Sequence, residues 1–77
     1  MQNSIKPAMK TMTVFVNGQS CEIDQNALLS DLLVQLGIDD TACATAVNGS
    51  FVPRQRRSET ILHDTDHVMT FEPITGG

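Results

Sequence analysis

The run Met12-Thr13-Val14-Phe15-Val16 sets its side chains on two faces at strand spacing, is rich in β-branched residues, and ends in Asn17-Gly18. Asn-Gly readily takes the two positive-φ positions of a tight hairpin turn, so residues 19–24 form the returning strand. Val14 and Val16 then share one face with Cys21 and Ile23, and Phe15 points the other way. The period next changes from two to 3.6. Leu29, Leu32, Leu33 and Leu36 mark one face of a helix of about nine residues ending near Leu36. Asn26 is its N-cap, Gly37 fits the left-handed position after the last turn, and Ile38 supplies the accompanying apolar contact.

A second Asn-Gly pair, Asn48-Gly49, joins residues 44–47 to Ser50-Phe51-Val52, and Pro53 stops that shorter hairpin. Residues 54–59, Arg-Gln-Arg-Arg-Ser-Glu, lack apolar periodicity and are read as a surface loop or a single turn. Ile61 and Leu62 return to the core. After the turn signal Asp64-Thr65-Asp66, residues 67–71 form a last strand with Val68 and Thr70 on one face and Met69 and Phe71 on the other. Pro73 ends it.

The order strand, strand, helix, strand, strand, strand predicts an α+β domain: a mixed sheet of four to five strands with one main helix on one face. This is the β-grasp, ubiquitin-like arrangement, with the first and last strands parallel at the sheet centre. Residues 1–11 are read as a disordered leader, 12–73 as the domain, and 74–77 as a flexible tail ending in Gly76-Gly77.

Composition narrows the function classes. Seventy-seven residues allow one small domain, and the apolar runs are far too short to cross a bilayer, so a cytoplasmic protein is expected. Nine acidic against five basic residues give a net charge of −4, which opposes a phosphate backbone, so nucleic acid is not expected as a partner. Cys21 and Cys43 form no CxxC pair and are read as small, reduced, buried or half-buried residues. His63 and His67 flank two aspartates, but in a turn running into a strand rather than on a helix, so no metal site is assigned.

The chemistry points to the chain end. A terminus without side chains enters a channel too narrow for Cβ atoms, and four residues beyond Pro73 extend roughly 13–14 Å. The Gly77 carboxylate is a poor electrophile until it becomes a mixed anhydride. The chain has neither GxxxxGK[ST] nor GxGxxG, and no nucleophile set that spacing supports, so ATP and the activating machinery must belong to a partner.

Ala46-Val47-Asn48-Gly49, Val52-Pro53-Arg54, Asp64-Thr65-Asp66-His67-Val68 and Gly76-Gly77 together resemble the sulfur carriers of thiamine biosynthesis, the ThiS family, over roughly residues 12–77. The resemblance implies that a ThiF-like adenylyltransferase adenylates Gly77 and that the end becomes a thiocarboxylate. That group then donates sulfur to a ThiG-like thiazole synthase. The carrier is then a cosubstrate without catalytic residues or a bound cofactor of its own. The ending from Phe71 to Gly77 also resembles the small, MoaD-like subunit of molybdopterin synthase, and a ubiquitin-like modifier or binding domain is the alternative of a different class.

Arg54, Arg56 and Arg57 are either a solvated loop or part of the surface that an activating enzyme reads, with Arg54 the stronger candidate because it matches the family motif. Phe15, Met69 and Phe71 face away from the helix. Two readings stand for them: a partner's docking surface, or residues covered by loops or turned to the other face by a one-residue shift of register.

Overall fold

The computed structural model describes residues 10–72. Strand β1 (Thr11–Val16) begins one residue inside the segment read as leader and pairs antiparallel with β2 (Gln19–Asp24) across Asn17-Gly18. Helix α1 (Leu29–Leu36) follows, then the hairpin of β3 (Ala44–Val47) and β4 (Ser50–Val52), a 3-10 helix over Arg54–Glu59, and β5 (His67–Phe71). The sheet order is β2-β1-β5-β3-β4. β1 and β5 run parallel, and the other neighbouring strands are antiparallel. This is the expected mixed five-stranded sheet with the first and last strands adjacent at its centre.

Both turns are built as Asn-Gly demands, with φ of 51° and 88° at Asn17 and Gly18 and 52° and 85° at Asn48 and Gly49. Their backbones also reach β5. The Asn17 N–H donates to the Val68 carbonyl at 2.9 Å, and the Asn48 N–H donates to the His67 carbonyl at 2.7 Å. Each hairpin is thereby tied to the central strand at its tip.

The helix ends as expected but begins differently. Gly37 takes φ 71°, its N–H donates to the Val34 carbonyl at 3.0 Å, and the Ile38 N–H donates to the Leu33 carbonyl at 2.9 Å, which closes the last turn. At the other end Leu28, not Asn26, is the N-cap. Asn26 is left-handed at φ 67°, a turn conformation upstream of the helix. The cap bonds come from elsewhere: the Asp31 carboxylate accepts the Leu28 N–H at 2.9 Å, and the Thr60 carbonyl accepts the Leu29 N–H at 2.8 Å. Asp31 also places a negative charge at the positive end of the helix.

Leu29, Leu32 and Leu33 are buried, and Leu29 and Leu32 pack with Met12, Val14, Ile23, Val52, Leu62 and Val68 in the core between α1 and the sheet. Two residues expected in the core are not in it. Leu36 lies at the last turn and is partly exposed. Ile61 is half exposed because its backbone bridges Leu28 while the next residue, Leu62, turns inward. Leu32 has no exposed surface, so Leu32→Ala should destabilise the domain by about 2–5 kcal/mol, measurable by denaturant unfolding. A cost below about 1 kcal/mol would mean that the site collapses around the missing atoms.

Candidate functional site

Two features converge on β5. The first is the chain end. β5 is hydrogen-bonded on both sides, to β1 and to β3, so the strand that leads toward the C-terminus is held in the middle of the sheet. Its last register pair is Phe71 with Ala44. Beyond it, Phe71 and Glu72 line an open cleft of about 370 Å³ together with Thr41, Ala42, Cys43 and Ala44. Gly76 and Gly77 lie outside the described residues, as does the tail expected over 74–77.

The second feature is the sheet face opposite α1. Strand pairing puts Phe15 beside His67, Met69 beside Ala46, and Phe51 beside Ala46 from the other side. Phe15, Met69 and Phe71 therefore share one face, with Met69 44% and Phe71 48% exposed and Phe15 half-buried. Phe15 owes its partial cover to His67, whose ring stacks on it at 4.9 Å and 19°. Phe51 joins the same face at 67% exposure. Sequence reasoning missed it, although its place in a three-residue strand beside Asn-Gly fixes its side once the hairpin register is known. Toward β2 the face becomes acidic, because Glu22 pairs with Thr13 and Asp24 with Thr11.

The arginines divide. Arg54 is exposed at the start of the 3-10 helix and lies near the Asp39 carboxyl rather than on the open face. Asp39 is held below the usual carboxylate range chiefly by the Thr41 N–H and hydroxyl, which donate to it at 2.9 and 2.7 Å, and Arg54 adds to the effect. Arg56 is an exposed surface residue facing Glu59 at 3.7 Å. Arg57 contradicts both readings of the arginine segment, since it is only 3% exposed. Its Nε donates to Thr45 Oγ1 at 3.0 Å, Nη1 to the Asp40 carbonyl at 2.6 Å and Nη2 to the Cys43 carbonyl at 2.7 Å. Thr45 in turn donates to the Val52 carbonyl at 3.0 Å. Arg57 thus pins the loop after α1, which forms one wall of the cleft at the end of β5.

Cys21 and Cys43 are free and half-buried. Among the described residues no group of three or more His, Cys, Asp or Glu side chains is placed to hold a metal ion. Nor is any helix there long and apolar enough to cross a membrane.

The family model of the ThiS family matches residues 14–77, a span that takes in the second half of β1, the rest of the sheet, the helix and Gly76-Gly77. The chain belongs to the ThiS family. Among ThiS proteins, the Escherichia coli (strain K12) protein named sulfur carrier protein ThiS is 30% identical over 66 residues, covering 86% of this chain and all of the relative. The crystal structure of a thiamine biosynthesis protein (ThiS) from Geobacter metallireducens superposes with a TM-score of 0.75 at 25% identity, covering 86% of this chain and all of that one. The β-grasp reading therefore stands on topology and on a solved ThiS fold alike.

Proposed function

We propose that this chain is a cytoplasmic sulfur carrier for thiazole formation in thiamine biosynthesis, and that Gly77 is the group that carries the sulfur. A ThiF-like adenylyltransferase, using ATP, joins the Gly77 carboxylate to AMP with release of pyrophosphate. Sulfur from a donor then displaces AMP to leave a thiocarboxylate, and a ThiG-like thiazole synthase receives the sulfur. The chain is a protein cosubstrate and supplies no catalytic side chain. The observation that carries this reading is that the ThiS match continues through Gly76 and Gly77, which follow the central strand β5 in the sequence.

Two features of the domain support the reading. The paired glycines place no Cβ beside the reacting carbon, and so suit a narrow adenylation channel. The open face offers aromatic and thioether side chains on the same strand that leads to the tail, so a partner gripping Phe15, Phe51, Met69 and Phe71 also fixes where the tail starts. Arg54, at the edge of the helix side, is a secondary contact.

Incubation with ATP, a ThiF-like enzyme and a sulfur source, followed by intact-mass measurement, tests the chemistry. Replacement of one oxygen by sulfur at Gly77 is the expected product. A ladder of higher-mass conjugates would instead assign a modifier, and sulfur transfer only to a molybdopterin synthase large subunit would move the carrier to that pathway. For the docking face, Phe71→Ser should leave the melting curve nearly unchanged because Phe71 is half exposed, and should weaken binding to the adenylyltransferase by about 1–3 kcal/mol, roughly 5- to 150-fold in Kd. Calorimetric titration showing an unaltered Kd would remove that face from the interface.

A further inference from the structure

Both hairpins turn on Asn-Gly, the dipeptide in which an asparagine side chain is most open to attack by the following backbone nitrogen, since glycine places nothing in the way. In that reaction the glycine nitrogen bonds to Cγ of the asparagine, and the side-chain nitrogen leaves as ammonia, carrying the proton released. Water then opens the cyclic imide to a carboxylate, on a normal or a β-linked backbone. The reaction needs no enzyme and no oxidant.

The fold restrains both asparagines. Each has a left-handed backbone, and each side-chain amide is held at both ends. Asn17 Nδ2 donates to Thr70 Oγ1 at 2.9 Å, and its Oδ1 accepts the Thr70 N–H at 3.0 Å. Asn48 Nδ2 donates to Asp66 Oδ1 at 2.9 Å, and its Oδ1 accepts the His67 N–H at 2.9 Å. Cyclisation requires both bonds to break and Cγ to swing toward the glycine nitrogen.

The two products are not equivalent. A carboxylate at position 17 still accepts the Thr70 N–H, and the Thr70 hydroxyl simply turns round to donate to it. A carboxylate at position 48 meets Asp66 Oδ1 with no hydrogen between them, two like charges at hydrogen-bond distance. Asp66 cannot turn away freely, because its Oδ2 accepts the His63 N–H at 2.8 Å in the turn that leads into β5. The His63 ring lies 3.8 Å from Asp66 Oδ2 but is mostly exposed, where a contact of this kind offsets little.

We propose that Asn48-Gly49 is a spontaneous deamidation site that the native hairpin protects and whose aspartate product loosens the attachment of β3 and β4 to the central strand, whereas the aspartate product at Asn17-Gly18 keeps its attachment. Each opening of the second hairpin thus risks an irreversible change that makes the next opening easier.

Two measurements test it on the full chain. In peptide mapping after incubation at mildly alkaline pH, deamidation at position 48 should be at least about tenfold slower in native protein than in denaturant, because it proceeds from an opened state. Equal rates would overturn the protection. In thermal melts Asn48→Asp should lower the Tm by about 10 °C, while Asn17→Asp should change it by less than about 2 °C. Should Asn48→Asp fail to fold, the double variant Asn48→Asp with Asp66→Asn decides the matter. There the amide at 66 donates to the carboxylate at 48 and still accepts the His63 N–H. Recovery of the wild-type melt supports the like-charge account, and no recovery, or a wild-type melt for Asn48→Asp alone, overturns it.

Discussion

A chain lacking Gly76 and Gly77 is expected to fold with an unchanged melting temperature and to form no detectable thiocarboxylate. The fold should not notice, because glycine has no side chain to bury and the described core is assembled from residues between Met12 and Val68. The chemistry should fail for two reasons that act together. The terminal carboxylate would retreat by about 7 Å, two residues of extended chain, and would then sit on Thr75, whose branched Cβ crowds the carbon that must be attacked. Intact-mass analysis after activation separates the outcomes: persistent sulfur loading of the shortened chain would refute Gly77 as the carrier group. Gly77→Ala keeps the length and restores only the Cβ, so partial loss there measures the steric share alone.

The largest loss of stability from a polar substitution is expected at Arg57. Arg57→Met fills most of the same volume but withdraws three donors, which strands the Asp40 and Cys43 carbonyls and leaves Thr45 with its bond to Val52 alone. Hydrogen bonds from a charged donor contribute about 1.5–3 kcal/mol each. Part is offset by no longer burying a cation, so a net destabilisation of about 2–4 kcal/mol is expected by denaturant unfolding. Hydrogen exchange should show where it acts, with the backbone of residues 39–43 losing protection before the sheet does. The acceptors are a hydroxyl and two carbonyls rather than a carboxylate, so the loss should be nearly independent of pH between about 5 and 8, where none of them titrates. A loss confined to acidic pH would point to an ion pair instead. Because the pinned loop walls the cleft beside Phe71 and Glu72, the same variant should also slow adenylation more than its folded fraction accounts for.

Much of the architecture follows from local chemistry. Asn17-Gly18 and Asn48-Gly49 specify tight turns wherever they occur between β-forming residues, because few other pairs accept two successive positive φ angles. The spacing of Leu29, Leu32 and Leu33, with Gly37 behind them, specifies a helix and its end for the same kind of reason: the information lies within one or two turns of chain. The family-specific segments and the glycine pair likewise stand in the sequence to be read, within the span that the ThiS family model matches.

Tertiary structure decided what depends on residues far apart in the chain. Arg57 sits in a polar run with no apolar period, and its burial arises from Asp40, Cys43 and Thr45, 12 to 17 positions away, which become acceptors only when the loop after α1 folds back. The helix start moved from Asn26 to Leu28 because Thr60, 31 or more positions downstream, offers a carbonyl to the first turn. Phe51 joined Phe15, Met69 and Phe71 only through the pairing of β3 with both β4 and β5. Asn17 and Asn48 proved to be clamps on the central segment as well as turn residues. Turn chemistry and hydrophobic period are encoded between neighbours, whereas the satisfaction of a buried donor needs a partner that only the closed fold brings within 3 Å.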